Sequence, residues 1–526
     1  MLRALVLGLA LVAAASGATV KTNVVVGGTT VGKFIHDDAV TGARPGLIFF
    51  SYDGKVNDFT ERQAESMLGV AQGVRTMIVD VFAATGTSKT DATEFTNEEM
   101  ASAVATAYDV MKTCELCTTA VDGTKIALIG YGIGGNMVME GLARNVAFQA
   151  GVAYTPILNR VSTLNADTTY PQRMLIMPGY EDVSAIDALE KDNLEQTAGM
   201  LLFEIFIQYN TAIHFNVDVV SNYKASQANR AFTQTASFLN AAMAGAFTTS
   251  GSMMPGRGSY DEDTFMYSVG DNQEVQGMIV RDKTLGPRPA IIVVPAWGGF
   301  SEYEIERLHF YAKMGYVAMS ANIYGLQIGT VLPMNERGAQ VGIWREAGND
   351  VKGRLFADRI AAAYAYLTQQ DFVSNDLASA LGFCFGGTGV YNTYRYGKPM
   401  QVHASFHGNM MKTRDFSGVT NPNFQGYLAM YVGTLDEGES GTTMVEHLAE
   451  ISRFNGMWEM TRYSNTNHGF SEWGAARYNA YAEGRSFESF SALLEDKMPA
   501  VGGAASVAAS LLLPLLAAFA ALFISM

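Results

Sequence analysis

Residues 380–391 read ALGFCFGGTGVY, a short apolar run that ends on a cysteine framed by glycines. A buried strand that turns sharply into a helix needs small residues on both sides of the bend. The residue at the apex, Cys384, is then held in strained backbone geometry with its side chain in the open. The following helix points its N-terminus at the sulfur, where peptide dipoles favour an anion and the Phe385 N–H is free to donate. A second stretch, ALIGYGIGGNMV at 127–138, repeats the frame with Gly132 where the cysteine would stand. One copy carries a nucleophile and the other does not.

The repetition extends over both halves of the chain. VVVGGTTVGKFIHDDAVTGARPGLIFF (24–50) matches YSVGDNQEVQGMIVRDKTLGPRPAIIVV (267–294), with Pro45 against Pro289, an offset of 244. Gly132 then falls on Cys384, Asp182 on Asp436 and His214 on His468, at offsets of 252, 254 and 254. Such near-constant spacing marks a duplication. The extra residues of the second copy lie around VLPMNERGAQVGIWREAGNDVKGR (331–354) and read as a loop insertion, which costs little. In the second half AIIVV, YVAMSAN, ALGFC, ASFHG, LAMYVG and MTRYS read as strands, with helices at 301–314, 353–370 and 486–496. Strands apolar throughout and separated by helices imply a mostly parallel sheet covered on both faces. The expected fold class is therefore α/β, built twice as two tandem α/β domains.

Length and composition agree. A chain of 526 residues exceeds what one core serves, and 48% hydrophobic with 17% charged residues describes a folded protein. A net charge of -15 without a basic stripe excludes a nucleic-acid partner of the usual kind. The expected layout is a secretory signal at 1–18, a first domain at 19–245, a linker at 246–263, a second domain at 264–497 and a hydrophobic tail at 504–526. Arg3 before an apolar run that closes on small residues supports the signal. The uncharged tail is long enough to cross a bilayer; a retained membrane helix, a removed lipid-anchor signal with Gly502 and Gly503 at its site, and a buried terminal helix all fit it. Localisation on the secretory pathway, at the cell surface and tethered by the tail, follows as an expectation.

Three cysteines are an odd set for such a compartment. Cys114 and Cys117 in TCELC suit a disulfide or a metal half-site, but no second CxxC completes a zinc cage, so no metal or cofactor is expected. Cys384 remains as a nucleophile. His468, in SNTNHGFSEW after a predicted strand, is the candidate base, and Asp436, in YVGTLDEGES, the candidate orienting acid. Nucleophile, acid, base is the chain order of the α/β-hydrolase arrangement.

The stretches PAIIVVPAWGGFSEYE, GYVAMSANIYG, GFCFGGTG, ASFHGNM, YVGTLDE and NHGFSEW together resemble the dienelactone hydrolase family across about residues 265–495. That resemblance implies a triad of Cys384, Asp436 and His468, and an oxyanion hole shared between Phe385 and the loop after the first long strand, where Trp297 is the candidate donor. It implies a small ester or lactone as substrate. Two departures stand out: Ala296 replaces a glutamate next to the thiol, and Glu472 replaces an arginine four residues past the histidine. Both argue against an anionic lactone, unless Arg345 or Arg354 substitutes. His403 and His407 look like the family's structural strand and loop and are left out of the site.

The first half keeps Asp182 and His214 but has no attacking atom at Gly132. It is expected to be inactive and to persist as a folded partner of the second domain. The competing class of function is a tethered binding protein on two hydrolase-like scaffolds, which Ala296 and Glu472 favour and the complete triad disfavours.

Overall fold

The computed structural model describes residues 18–70, 73–113, 120–165, 168, 170–179, 202–208, 225–245, 257–270, 273–344, 350–409, 426–436, 438, 444, 448–449, 451–452 and 456–499. The signal stretch 1–17, Cys114, Cys117, Asp182, His214, Arg345 and the tail 504–526 lie outside them, as does most of the linker. Among the described residues no helix is long and apolar enough to cross a membrane. The chain divides into two compact units, residues 1–249 with 460–465, and residues 250–459 with 466–526.

The first unit holds β1 (Thr19–Val26), β2 (Thr29–Asp37), β3 (Arg44–Phe50), β4 (Arg75–Val79), β5 (Val121–Tyr131), β6 (Ala150–Tyr154), β7 (Arg173–Met177) and β8 (Leu202–Gln208). Their order is β1-β2-β4-β3-β5-β6-β7-β8. From β4 to β8 the pairing is parallel, while β1 and β2 form an antiparallel flap. Its main helices are α1 (Asp58–Ser66), α2 (Asn97–Thr113), α3 (Ile133–Ala143) and α4 (Ala225–Met243).

The second unit repeats the plan with β9 (Asp261–Ser268), β10 (Glu274–Arg281), β11 (Arg288–Val294), β12 (Val317–Ser320), β13 (Val373–Phe383), β14 (Val402–Phe406) and β15 (Tyr427–Gly433). The order is β15-β14-β13-β11-β12-β10-β9, parallel up to β12 and antiparallel at the β10–β9 end. Its main helices are α5 (Glu302–Lys313), α6 (Met334–Trp344), α7 (Asp350–Leu367), α8 (Phe385–Arg395) and α9 (Ala480–Lys497); β16 (Met457–Tyr463), whose residues from 460 on belong to the first unit, leads into the loop that carries His468. The α/β expectation is met twice over. The central strands read as unbroken apolar runs because both faces are covered: Ala290 to Val294 and Leu381 are wholly buried. Each of the larger side chains contributes roughly 2 kcal/mol by leaving water.

Three local readings change. The strand β9 begins at Asp261, inside the stretch 246–263 read as a linker, because Asp261 to Asp263 pair with Arg281 to Ile279. The insertion at 331–354 is not wholly irregular, because Pro333 is followed by the helix α6, whose residues are none of them buried. A helix without a buried face leaves no apolar period to read. α9 starts at Ala480 rather than 486, since the Asn479 side chain caps it by accepting from the Ala482 N–H at 3.1 Å.

Candidate active site

Cys384 stands between β13 and α8 with φ 52° and ψ −118°, in the left-handed half of backbone space that non-glycine residues avoid. The neighbours explain how it is tolerated. A methyl group on Gly382 would collide with the Gly386 carbonyl, and one on Gly386 with the Val294 and Pro295 carbonyls. Only glycine lets the turn pass this close to the end of β11. Gly132 in the first unit has φ 56° and ψ −118°, so the bend persists there without the thiol.

The bend presents the sulfur to an imidazole. His468 Nε2 lies 3.1 Å from Cys384 Sγ, and His468 Nδ1 lies 2.8 Å from Asp436 Oδ2. Asp436, almost fully buried, follows β15, where its backbone N–H donates to the Gly433 carbonyl and the Gly438 N–H donates to Oδ1 at 3.2 Å. Burial alone would lower the His468 pKa; its hydrogen bonds to Asp436 and Cys384 outweigh that and push it up to about 10. The three residues singled out in the sequence are thus brought into one hydrogen-bonded line. Among the described residues no group of three or more His, Cys, Asp or Glu side chains is placed to hold a metal ion.

Phe385 opens α8, where the first N–H groups of a helix have no partner within it. Trp297 lies on the loop after β11, half-buried, with its carbonyl accepting from Tyr324 Oη at 3.2 Å and the Arg337 guanidinium 5.6 Å from its ring centroid. The neighbouring Ala296 N–H is engaged by Glu304 Oε1 at 3.2 Å. Glu304 also accepts from the Ser301 N–H at 2.8 Å, closing a capping box at the start of α5, and burial raises its pKa. Glu304 thus meets the Ala296 backbone from the helix. The S-x-x-E pattern at 301–304 was its signal.

Glu472 is mostly buried, which raises its pKa, while Arg477, His468 and Arg337 act in the opposite sense. The cations that act on Glu472 are thus Arg477, His468 and Arg337. Arg354 instead lies on α7, with its guanidinium 5.6 Å from the Tyr396 ring.

The two histidines set aside on the sequence part company. His403 is buried away from the sulfur, its Nδ1 2.8 Å from Thr393 Oγ1. His407, set aside on the sequence, touches Cys384: its Nδ1 accepts from the Cys384 N–H at 3.0 Å and its Nε2 lies 2.8 Å from Ser471 Oγ. Its ring centroid is 5.3 Å from that of His468. Burial, then the charges of His468 and Arg307, hold its pKa well below the ordinary value, so it is neutral. Nothing local in ASFHG reveals this, because the contact joins residues 23 apart across two strand ends.

A sequence model described as the dienelactone hydrolase family matches residues 56–243 and again 275–498. The chain belongs to the dienelactone hydrolase family. Both copies are covered, so the duplication is a duplication of one family domain. Among its relatives, a "Probable 2-oxo-3-(5-oxofuran-2-ylidene)propanoate lactonase" of Bradyrhizobium sp is 25% identical over 211 residues, 39% of this chain and 82% of that protein. A "Putative carboxymethylenebutenolidase" of Synechocystis sp. is 26% identical over 239 residues, 43% of this chain and 94% of that protein. The solved structure of a dienelactone hydrolase-like promiscuous phosphotriesterase from metagenomic libraries is 25% identical, with a TM-score of 0.41, covering 46% of this chain and 100% of that one. Membership of the dienelactone hydrolase family makes this a hydrolase-family protein, with esters or lactones as its class of substrate.

Proposed function

We propose that the second unit hydrolyses small carboxylic esters or lactones through a Cys384, His468, Asp436 triad and a thioester intermediate. The observation that carries this is the unbroken line from Cys384 Sγ through the His468 ring to Asp436 Oδ2, built on a strained turn. The Cys384 sulfur, its proton taken by His468 Nε2, attacks the carbonyl carbon. The resulting oxyanion accepts from the Phe385 and Trp297 N–H groups, worth about 3 kcal/mol per donor in comparable sites. His468 Nε2–H then protonates the departing alkoxide, leaving the acyl group on sulfur. Water, deprotonated by the same nitrogen, attacks the thioester carbonyl; the thiolate departs and the acid is released.

The first unit, with Gly132 at the bend, is read as a folded copy without covalent acyl-transfer activity. Arg3 with its apolar run and the uncharged stretch 504–526 support entry into the secretory pathway and tethering at a membrane. Fractionation of cells expressing the full chain and a chain ending at residue 503 tests this: equal release of both into the medium sinks the tether.

For the chemistry, Cys384→Ala should abolish hydrolysis of p-nitrophenyl acetate while leaving the circular dichroism spectrum unchanged. Residual turnover above about one per cent of wild type would remove the triad from the mechanism.

A further inference from the structure

From these contacts we infer that His407 is a positioning residue: as a neutral imidazole it ties the backbone of the nucleophile to the segment that carries the base. The inference rests on the hydrolase reading above. The Cys384 N–H is shared between the Phe406 carbonyl and His407 Nδ1, each at 3.0 Å. With Nδ1 accepting, the ring proton sits on Nε2 and donates to Ser471 Oγ. Ser471 lies three residues beyond His468. Its hydroxyl also meets Tyr303 Oη at 2.9 Å, and its carbonyl accepts from Arg307 at 3.1 Å. Arg307, itself buried, is paired with Glu483, so the chain of contacts ends on a fixed ion pair inside the protein.

The first unit shows that the fold does not require this chain. The bend at His407 has φ 40°, and its counterpart Thr155, at the offset of 252, has φ 43°. In both units the preceding element delivers the same backbone bond: Gly132 N–H to the Tyr154 carbonyl at 2.8 Å, Cys384 N–H to the Phe406 carbonyl. The ring pair beneath the bend is also kept. Tyr303 and Phe383 meet edge to face with centroids 5.1 Å apart, and Phe59 and Tyr131 do so at 5.0 Å. What differs is the polar set. At the offsets of 244, 252 and 254, Tyr303, Arg307, His407 and Ser471 fall on Phe59, Gln63, Thr155 and Val217. The copy without the thiol has therefore lost the imidazole, the serine hydroxyl, the helix phenol and the cation, while the backbone at Gly132 and Thr155 keeps its conformation. That correlation assigns the network to the nucleophile rather than to folding.

Neutrality is part of the role. Burial first, and then the charged groups that act on His407, namely His468, Arg307 and Arg477, all cationic when protonated, hold it deprotonated while His468 beside it carries the charge. A protonated His407 would turn an N–H toward the Cys384 N–H and break the tie.

Full-length wild type, His407→Thr, His407→Asn and Ser471→Ala are compared by iodoacetamide alkylation of Cys384 from about pH 5 to 9 and by p-nitrophenyl acetate turnover. His407→Thr installs the residue that the other copy tolerates. It should lower kcat on the order of 10²-fold, leave KM within about twofold and displace the pH profile of alkylation. His407→Asn keeps an acceptor near the place of Nδ1 and should recover most of the rate, and Ser471→Ala should fall between. If His407→Thr matches wild type within about twofold in kcat and in alkylation profile, the inference is overturned and the triad stands. A wild-type thiol inert below about pH 8 overturns the hydrolase reading instead. Should His407→Thr melt early, Ser471→Ala decides: a loss of about fivefold or more in kcat at unchanged Tm supports the tie, and an unchanged kcat refutes it.

Discussion

Asp436→Asn is the sharpest probe of the site, because it removes a charge and changes almost no volume. Raising the His468 imidazole from 6.5 to about 10 corresponds to roughly 5 kcal/mol in favour of the cation. Burial opposes this, so the hydrogen bonds to Asp436 and Cys384 together supply more than that figure. If the carboxylate accounts for about half, its loss alone removes on the order of 10²-fold from any step that develops imidazolium. An amide at this place can also turn its NH₂ toward Nδ1 and impose the wrong tautomer, an effect worth up to about 10⁴-fold in a related arrangement. kcat/KM for p-nitrophenyl acetate should therefore fall between about 10² and 10⁴-fold, with the alkaline limb of its pH profile moved to lower pH. The stability consequence has a definite sign. A histidine whose folded pKa is raised stabilises fully below its unfolded value near 6.5, and that contribution disappears as pH rises through about 10. The difference in urea midpoint between wild type and variant should be largest near pH 6 and shrink toward pH 10. Direct NMR titration of His468 gives the check. A variant whose imidazole still titrates near 10, or whose kcat/KM stays within about tenfold of wild type, refutes the argument.

Gly382→Ala places a methyl group against the Gly386 carbonyl and should cost at least about 3 kcal/mol or prevent folding, read as urea midpoint or soluble yield; a loss under about 1 kcal/mol would show that the turn can open. Arg307→Met leaves Glu483 charged and buried and should cost about 3–5 kcal/mol, while the double change with Glu483→Leu should recover most of it, as measured by a double-mutant cycle. Glu304→Ala frees the Ala296 and Ser301 N–H groups at the loop that carries Trp297 and should cost about 1–3 kcal/mol in urea unfolding; Glu304→Gln, which keeps an acceptor, should cost less.

The dienelactone hydrolase architecture was legible wherever a residue type is dictated by its own neighbourhood. GFCFGG announces the strained bend because only glycines permit it, and the recurrence of the same frame at Gly132 announces the duplication. Asp436 and His468 were legible through their order and their places after strands, and the structure sets them in line with Cys384. The helix α6 escaped because it buries none of its residues and so leaves no period, and α9 was begun late because its first turn rests on a cap at Asn479. Glu304 was legible as a capping residue but not as the partner of Ala296.

Local chemistry in the chain thus decided the α/β class, the two copies, the apex at Cys384 and the glycine, Gly132, that stands at the matching bend. Tertiary structure alone decided that His407 meets Cys384 while His403 meets Thr393, and that Ser471, Tyr303 and Arg307 stand behind His407. Both histidines sit in the same short motif, VHASFHG, and differ only in which strand end they face. Side-chain contacts across a parallel sheet join residues far apart in sequence, and they depend on register and on the course of the connecting loops, neither of which leaves a mark on the residues themselves.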